Sequence, residues 1–361
     1  MKSGPFLFLT LLLTINVCGQ NVSKIGMTTR GFADETRPDW SGRAPRPIAT
    51  TIWYPADAPE NEAKIVLGNP DNPLFIAGAA VRGAKISAAR ERFPLIVISH
   101  GTGGSALQMM WLGQYLAARG FIAAAIDHHG NSAAEGKYRA QGFVLWWERA
   151  RDLRVAIDDL LADAEFGGRI DAGKIGAAGF SLGGATVTAT AGGIFDLRGF
   201  EKFCASSERD ATCEPQPEFP GAMKEFEELR TKDASVIESL NRAADSYRDR
   251  RVKAVFAIAP ALGAAFTQSS LSSVEIPFQI VAGEADATTP PRTNAQKLAR
   301  SIKKSAVKIL PGKVGHYTFL AECTDFGKTI LPICRDEAGV DRAAVHRTVG
   351  QMAFEFFKAN L

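Results

Sequence analysis

The sequence predicts an α/β protein, a mostly parallel twisted sheet flanked by helices, with a helical cap inserted late in the chain. Three observations carry that expectation. Short apolar runs of strand length recur at 93–99, 121–126, 252–259, 276–282 and 305–310. Several lead through a turn into a segment of helical periodicity, the pattern of buried parallel strands and their crossover helices. Residues 174–185 (KIGAAGFSLGGA) run from an apolar segment through Gly-x-Ser-x-Gly into a small-residue, helix-compatible stretch, the context of a serine at the tip of a strand-to-helix turn. Finally, the strand expected after that turn is delayed until 252 by a segment, 195–250, far too long for an ordinary connection.

Taken in order, the chain opens on a positive charge and an apolar run from Phe6 to Val17, with small residues Val17 and Gly19 placed as before a cleavage point. Residues 1–19 therefore read as a secretory signal peptide, leaving 20–361 as one domain that is secreted or periplasmic. The apolar run is short for a bilayer anchor, so no stable membrane span is expected once it is removed. Lipidation of Cys18 is a weaker alternative, because Ile15, Asn16 and Val17 fit that signal poorly. Export makes the four remaining cysteines candidates for disulfides. Three pairings are possible, and the close sequence pairs favour Cys204–Cys213 and Cys323–Cys334. The formal charge of +3 is spread along 361 residues without basic runs, which argues against a nucleic-acid surface.

Two extended segments, 24–32 and 48–54, flank a link rich in proline, glycine and arginine. Residues 56–92 read as a long surface connection. The run at 93–99 enters His100-Gly101-Thr102-Gly103-Gly104, then a helical segment at 105–119 stopped by Gly120. The run at 121–126 is followed by Asp127-His128-His129-Gly130-Asn131. Residues 146–164 have helical spacing, with Leu153, Ile157, Leu160 and Leu161 on the inner face. The insertion at 195–250 holds the first cysteine pair, three prolines and helical stretches at 221–231 and 234–248. After it come helices at 290–303 and 340–358.

The serine motif alone is common, and Ser181 could simply cap a helix. As a nucleophile it would need a base, and the base an orienting acid. Two histidines follow it. His346 lies within the last helical segment and reads as a packing or surface residue, whereas His316 sits in a loop after the final strand, where an imidazole can be aimed freely. For the acid, the turn Gly283-Glu284-Ala285-Asp286 offers Asp286, whose short side chain suits holding an imidazole, with Glu284 as its rival. Asp196 and Asp210 are outsiders. An oxyanion formed at Ser181 needs two backbone donors, and the N–H groups of Thr102 and Leu182 are the candidates. His100 reads as a support for its turn. His128 and His129 could reach a pocket but are not expected to hold a metal. Trp146 and Trp147 could form a pocket wall or ordinary core.

His100-Gly101-Thr102-Gly103-Gly104, Gly179-Phe180-Ser181-Leu182-Gly183-Gly184, Gly283-Glu284-Ala285-Asp286 and Gly315-His316, in that order, resemble the α/β-hydrolase superfamily. More narrowly, they resemble secreted bacterial hydrolases related to dienelactone hydrolase and platelet-activating-factor acetylhydrolase, as do Thr51-Ile52-Trp53-Tyr54-Pro55 and the segment 127–131. The resemblance spans about residues 45–355. It implies Ser181 as nucleophile, Asp286 as acid, His316 as base, and Thr102 and Leu182 as oxyanion donors. In the acetylhydrolase the acid follows the sixth strand, where this chain has Ile258-Ala259-Pro260-Ala261, so the acid fits the dienelactone-hydrolase placement. The expected activity is cofactor-free hydrolysis of a small-molecule carboxylic ester through an acyl-enzyme. A serine peptidase or amidase on the same fold, or a non-catalytic binding protein on a hydrolase scaffold, are the alternatives.

Overall fold

The computed structural model describes residues 24–361. The expected signal peptide and Cys18 lie outside the described residues. The strands are β1 (Lys24–Pro38), β2 (Pro45–Asp57), β3 (Ala63–Asn69), β4 (Asn72–Arg82), β5 (Lys85–Ile86), β6 (Phe93–Ser99), β7 (Ile122–His128), β8 (Ile170–Phe180), β9 (Val252–Ile258), β10 (Phe278–Gly283), β11 (Ser305–Leu310) and β12 (Glu322–Cys323). The helices are α1 (Met110–Ala117), α2 (Ala140–Val144), α3 (Glu148–Ala162), α4 (Leu182–Ala191), α5 (Leu197–Cys204), α6 (Ala222–Leu229), α7 (Ala234–Asn241), α8 (Gln268–Ser272), α9 (Ala295–Ser301), α10 (Asp325–Ile330) and α11 (Arg342–Asn360).

One mixed sheet runs β11-β10-β9-β8-β6-β7-β2-β1-β4-β12. Every pair from β11 to β7 is parallel, while β2 joins β7 and β1 antiparallel. The inner parallel strands β6, β7 and β9 are buried on both faces, which explains their nearly unbroken apolar sequences. On one face, Leu153, Ile157 and Leu160 of α3 pack with Ala185 and Val187 of α4 on the sheet, while Leu161 is only partly buried. On the other, Leu112 and Leu116 of α1 meet Val349, Ala353 and Phe357 of α11.

The surface connection expected at 56–92 is instead the hairpin β3–β4 plus the short β5. The alternation that would reveal it is blurred by two register shifts, at Ile65/Val66 and Leu67/Gly68. Only Ile65 of β3 is buried, because the hairpin lies toward the sheet edge. β1 and β2 are also longer than expected, and the link between them contracts to a turn closed by Asp39 N–H donating to the Ala44 carbonyl at 2.8 Å.

This topology chooses the site. The chain passes from β6 to β7 on one side, then returns to place β8 on the other side of β6. Loops leaving the carboxyl ends of β6 and β8 therefore diverge and leave a crevice between them, the usual ligand position in an open parallel sheet.

Candidate active site

Ser181 occupies the tip of the turn between β8 and α4, with φ 55° and ψ −119°. A non-glycine residue in that region is strained and needs its surroundings to hold it. Here Ser181 N–H donates to the Ile258 carbonyl at 2.9 Å, and the Ser181 carbonyl accepts from Ala261 N–H at 3.0 Å. The end of β9 and the loop after it thus clamp the turn on both sides. The flanking glycines are required by space. A Cβ on Gly179 would lie 2.1 Å from the Gly183 carbonyl oxygen, and one on Gly183 would lie 2.0 Å from that of Ser99.

The structure brings Ser181, His316 and Asp286 together from three separate loops. With the proton on Nδ1, His316 donates to Asp286 Oδ2 at 2.8 Å, and its Nε2 accepts from the Ser181 hydroxyl at 2.9 Å. All three side chains are buried. Phe180 lies against the imidazole, ring centroids 4.9 Å apart. Glu284, the rival acid, is exposed and accepts from Gly312 N–H at 2.6 Å, so it braces the following loop instead. Asp196 caps α5 by accepting from Gly199 N–H, and Asp210 accepts from Thr212 N–H and Asn294 Nδ2. Neither meets an imidazole.

Thr102 and Leu182 both line the cavity above Ser181. In the turn after β6, Gly103 N–H is given to Asn131 Oδ1 at 2.8 Å and Gly104 N–H to the Gly101 carbonyl at 3.2 Å. Among the described residues no acceptor takes Thr102 N–H. Leu182 is the first residue of α4, where a backbone N–H has no intrahelical acceptor and the helix dipole favours negative charge.

Thr289 is a residue that sequence reasoning missed. Its N–H donates to Asp286 Oδ1 at 2.7 Å and its hydroxyl to Asp286 Oδ2 at 2.9 Å. The Asp-x-x-Thr spacing before Pro290 was the available signal, since an aspartate readily accepts from the backbone N–H three residues on.

A second missed feature is a buried polar network beneath the site. Arg149 of α3 donates to the His100 carbonyl, to Asn131 Oδ1 at 3.2 Å and to Thr186 Oγ1 at 3.2 Å. Asp152 accepts from Arg46 at 2.8 Å and from Arg37 at 2.7 Å. His128, read as a possible pocket residue, is wholly buried between Ser99 Oγ at 2.8 Å and Asp152 Oδ2 at 3.0 Å. Burial pushes its pKa down to about 3, so the ring is neutral. His100 is likewise held neutral by burial, and its Nδ1–H donates to the Gly101 carbonyl at 2.7 Å. His129 accepts from Trp40 N–H and pairs with Glu135. Thus none of His100, His128 and His129 lines the cavity. Trp146 packs on Phe195 and Phe200, and Trp147 donates from Nε1 to Ser239 Oγ at 2.9 Å. Trp147 is a core residue and Trp146, partly buried, packs against that core; neither lines the cavity.

The cavity encloses about 150 Å³. Its floor is Phe180, Ser181 and Leu182, one side is the 101–104 turn, and the roof comes from residues 211–218 of the insertion. That roof is anchored. Cys204 and Cys213 are joined, Cα atoms 5.5 Å apart, and Asp210 between them accepts from Thr293 and Asn294 just beyond the Asp286 turn. Cys323 and Cys334 form the second disulfide.

With this geometry in view, the architecture has recognisable counterparts. The structure superposes on a ferulic acid esterase from Streptomyces cinnamoneus with a TM-score of 0.62 and 20% identity, over 94% of this chain and 90% of that one. This chain has the α/β-hydrolase fold. Residues 76–143 also match the family model described as platelet-activating factor acetylhydrolase, isoform II. That stretch of the chain holds β6, the 100–104 turn and β7. No curated protein matches the chain.

Proposed function

We propose that this α/β-hydrolase is a carboxylic ester hydrolase working through an acyl-enzyme on Ser181. The observation that carries the reading is the hydrogen-bonded series Ser181–His316–Asp286 at the floor of a cavity partly roofed by the insertion. His316 Nε2 takes the Ser181 proton as Oγ attacks the ester carbonyl. Asp286 keeps the other ring proton on Nδ1 and stabilises the imidazolium that forms. The N–H groups of Thr102 and Leu182 receive the oxyanion. Collapse expels the alcohol, which takes its proton from His316 Nε2. Water, activated by the same nitrogen, then releases the acid and restores Ser181.

The ferulic acid esterase and the acetylhydrolase family support an ester as the small-molecule substrate, and the small cavity favours a compact group beside Ser181. The insertion at 195–250 acts as the cap. Two disulfides support an exported protein, and no helix among the described residues is long and apolar enough to cross a membrane.

Hydrolysis of 4-nitrophenyl acetate, with fluorophosphonate labelling, tests the reading. The wild type is expected to turn over and to be labelled at Ser181, and Ser181→Ala to lose both while keeping its circular dichroism. Wild-type rates in that variant would end the proposal.

A further inference from the structure

The cavity is electrostatically one-sided. Among the described residues lining it there is no lysine or arginine, and two glutamates, Glu214 and Glu218. These two differ in kind. Glu214 is exposed and paired with Arg209 at 2.5 Å, so its charge is compensated and screened by solvent. Glu218 has no ion-pair partner among the described residues, and its side chain is drawn into the cavity wall. It lies directly over the 101–104 turn: a Cβ on Gly103, whose φ is +60°, would sit 2.8 Å from Glu218 Cγ, and 3.1 Å from the Tyr138 hydroxyl. Tyr138 cannot neutralise it, because its hydroxyl is committed to the Gly103 carbonyl at 2.8 Å. Tyr317, which also lines the cavity, carries no compensating charge. The position is costly, since burial raises the Glu218 pKa, and only a hydrogen bond from its own backbone N–H and His316 across the cavity oppose that shift.

A lone carboxylate over a partly desolvated substrate site acts on any charge that enters. A quaternary ammonium or ammonium group gains a partner that is poorly screened. An anionic group meets like-charge repulsion with no guanidinium or ammonium nearby to receive it, at separations inside the roughly 8 Å Debye length of physiological salt. We propose that Glu218 selects substrates by charge, making this enzyme one for neutral or cationic esters that discriminates against esters carrying a carboxylate. The inference rests on the esterase reading above and adds the substrate class to it.

Two matched pairs of 4-nitrophenyl-type esters test it, one with a trimethylammonium or carboxylate group on the acyl arm, the other with those groups on the leaving-group arm. Each kcat/KM is normalised to the rate of alkaline hydrolysis. In at least one pair the cationic ester is expected to be favoured by about tenfold or more at low ionic strength, with the ratio shrinking in 1 M NaCl. Glu218→Gln should bring that ratio close to one, while Glu227→Gln, on an exposed carboxylate of α6 paired with Arg230, should keep it. Equal normalised rates in both wild-type pairs, or a preference that survives Glu218→Gln, would overturn the proposal. Should Glu218→Gln not fold, the wild-type ratios and their salt dependence decide. Failure of the esterase reading looks different: no ester of any charge is hydrolysed and Ser181 is not labelled.

Discussion

Thr289 holds both oxygens of Asp286, its N–H on Oδ1 and its hydroxyl on Oδ2, at 2.7 and 2.9 Å. The same hydroxyl stands 3.2 Å from His316 Nδ1 and from the Ala259 carbonyl. One side chain thus joins the acid, the imidazole and the loop that clamps Ser181. It also fixes which carboxylate oxygen faces the ring.

Thr289→Val removes the hydroxyl and keeps the backbone donor. We expect kcat/KM for 4-nitrophenyl acetate to fall roughly tenfold, the cost of one charge-assisted hydrogen bond. Asp286→Asn should cost about 10³- to 10⁴-fold, because the amide presents a donor to the ring and favours the wrong tautomer. Glu284→Gln should stay within about twofold of wild type. Steady-state kinetics of the three variants checks the assignment, and a large loss in Glu284→Gln would reverse it.

Gly183→Ala places a methyl where the Ser99 carbonyl already is, 2.0 Å away. Backbone on both sides leaves no flexible side chain to yield, so α4 must move off the end of β6. We expect destabilisation at or above about 3 kcal/mol and loss of fluorophosphonate labelling. Urea unfolding with the labelling assay measures both. By contrast, Gly168→Ala, with open space at the Cβ position, should change little.

Stability should fall on acidification through the histidine range. His346 stacks on Trp111 at 4.3 Å and its Nε2–H donates to the Thr318 carbonyl at 3.0 Å, while Nδ1 is buried with no hydrogen-bond partner among the described residues. Burial pushes its pKa down to about 4, and that of His128 to about 3. The unfolded chain, with ordinary histidines near 6.5, then binds more protons than the folded one below that pH. Unfolding free energy is therefore full above about pH 6.5 and declines as pH falls toward 4, by up to about 1.4 kcal/mol per pH unit for each such histidine. His346→Gln should flatten that slope. An unchanged slope in denaturant titrations across pH 4.5–7 would contradict it.

The sequence by itself determined the elements whose physics is local. Apolar runs at β6, β7 and β9 mark strands buried on both faces, with polar residues kept near their ends. Gly179, Ser181 and Gly183 mark the tight turn, because only glycine permits the close approach of α4 to β8 and β6. Tertiary structure decided whatever depends on partners distant in the chain. The β3–β4 hairpin stayed hidden because bulges break its alternation and an edge position leaves it half exposed. Asp286 and Glu284 are two residues apart with the same charge, and only the course of the loop carrying His316 separates them, by turning one toward the imidazole and the other toward Gly312. Arg149 and Asp152 lie on α3 and His128 at the end of β7. They are buried because each finds polar partners across 18 to 115 residues of chain, and no local pattern encodes such a match.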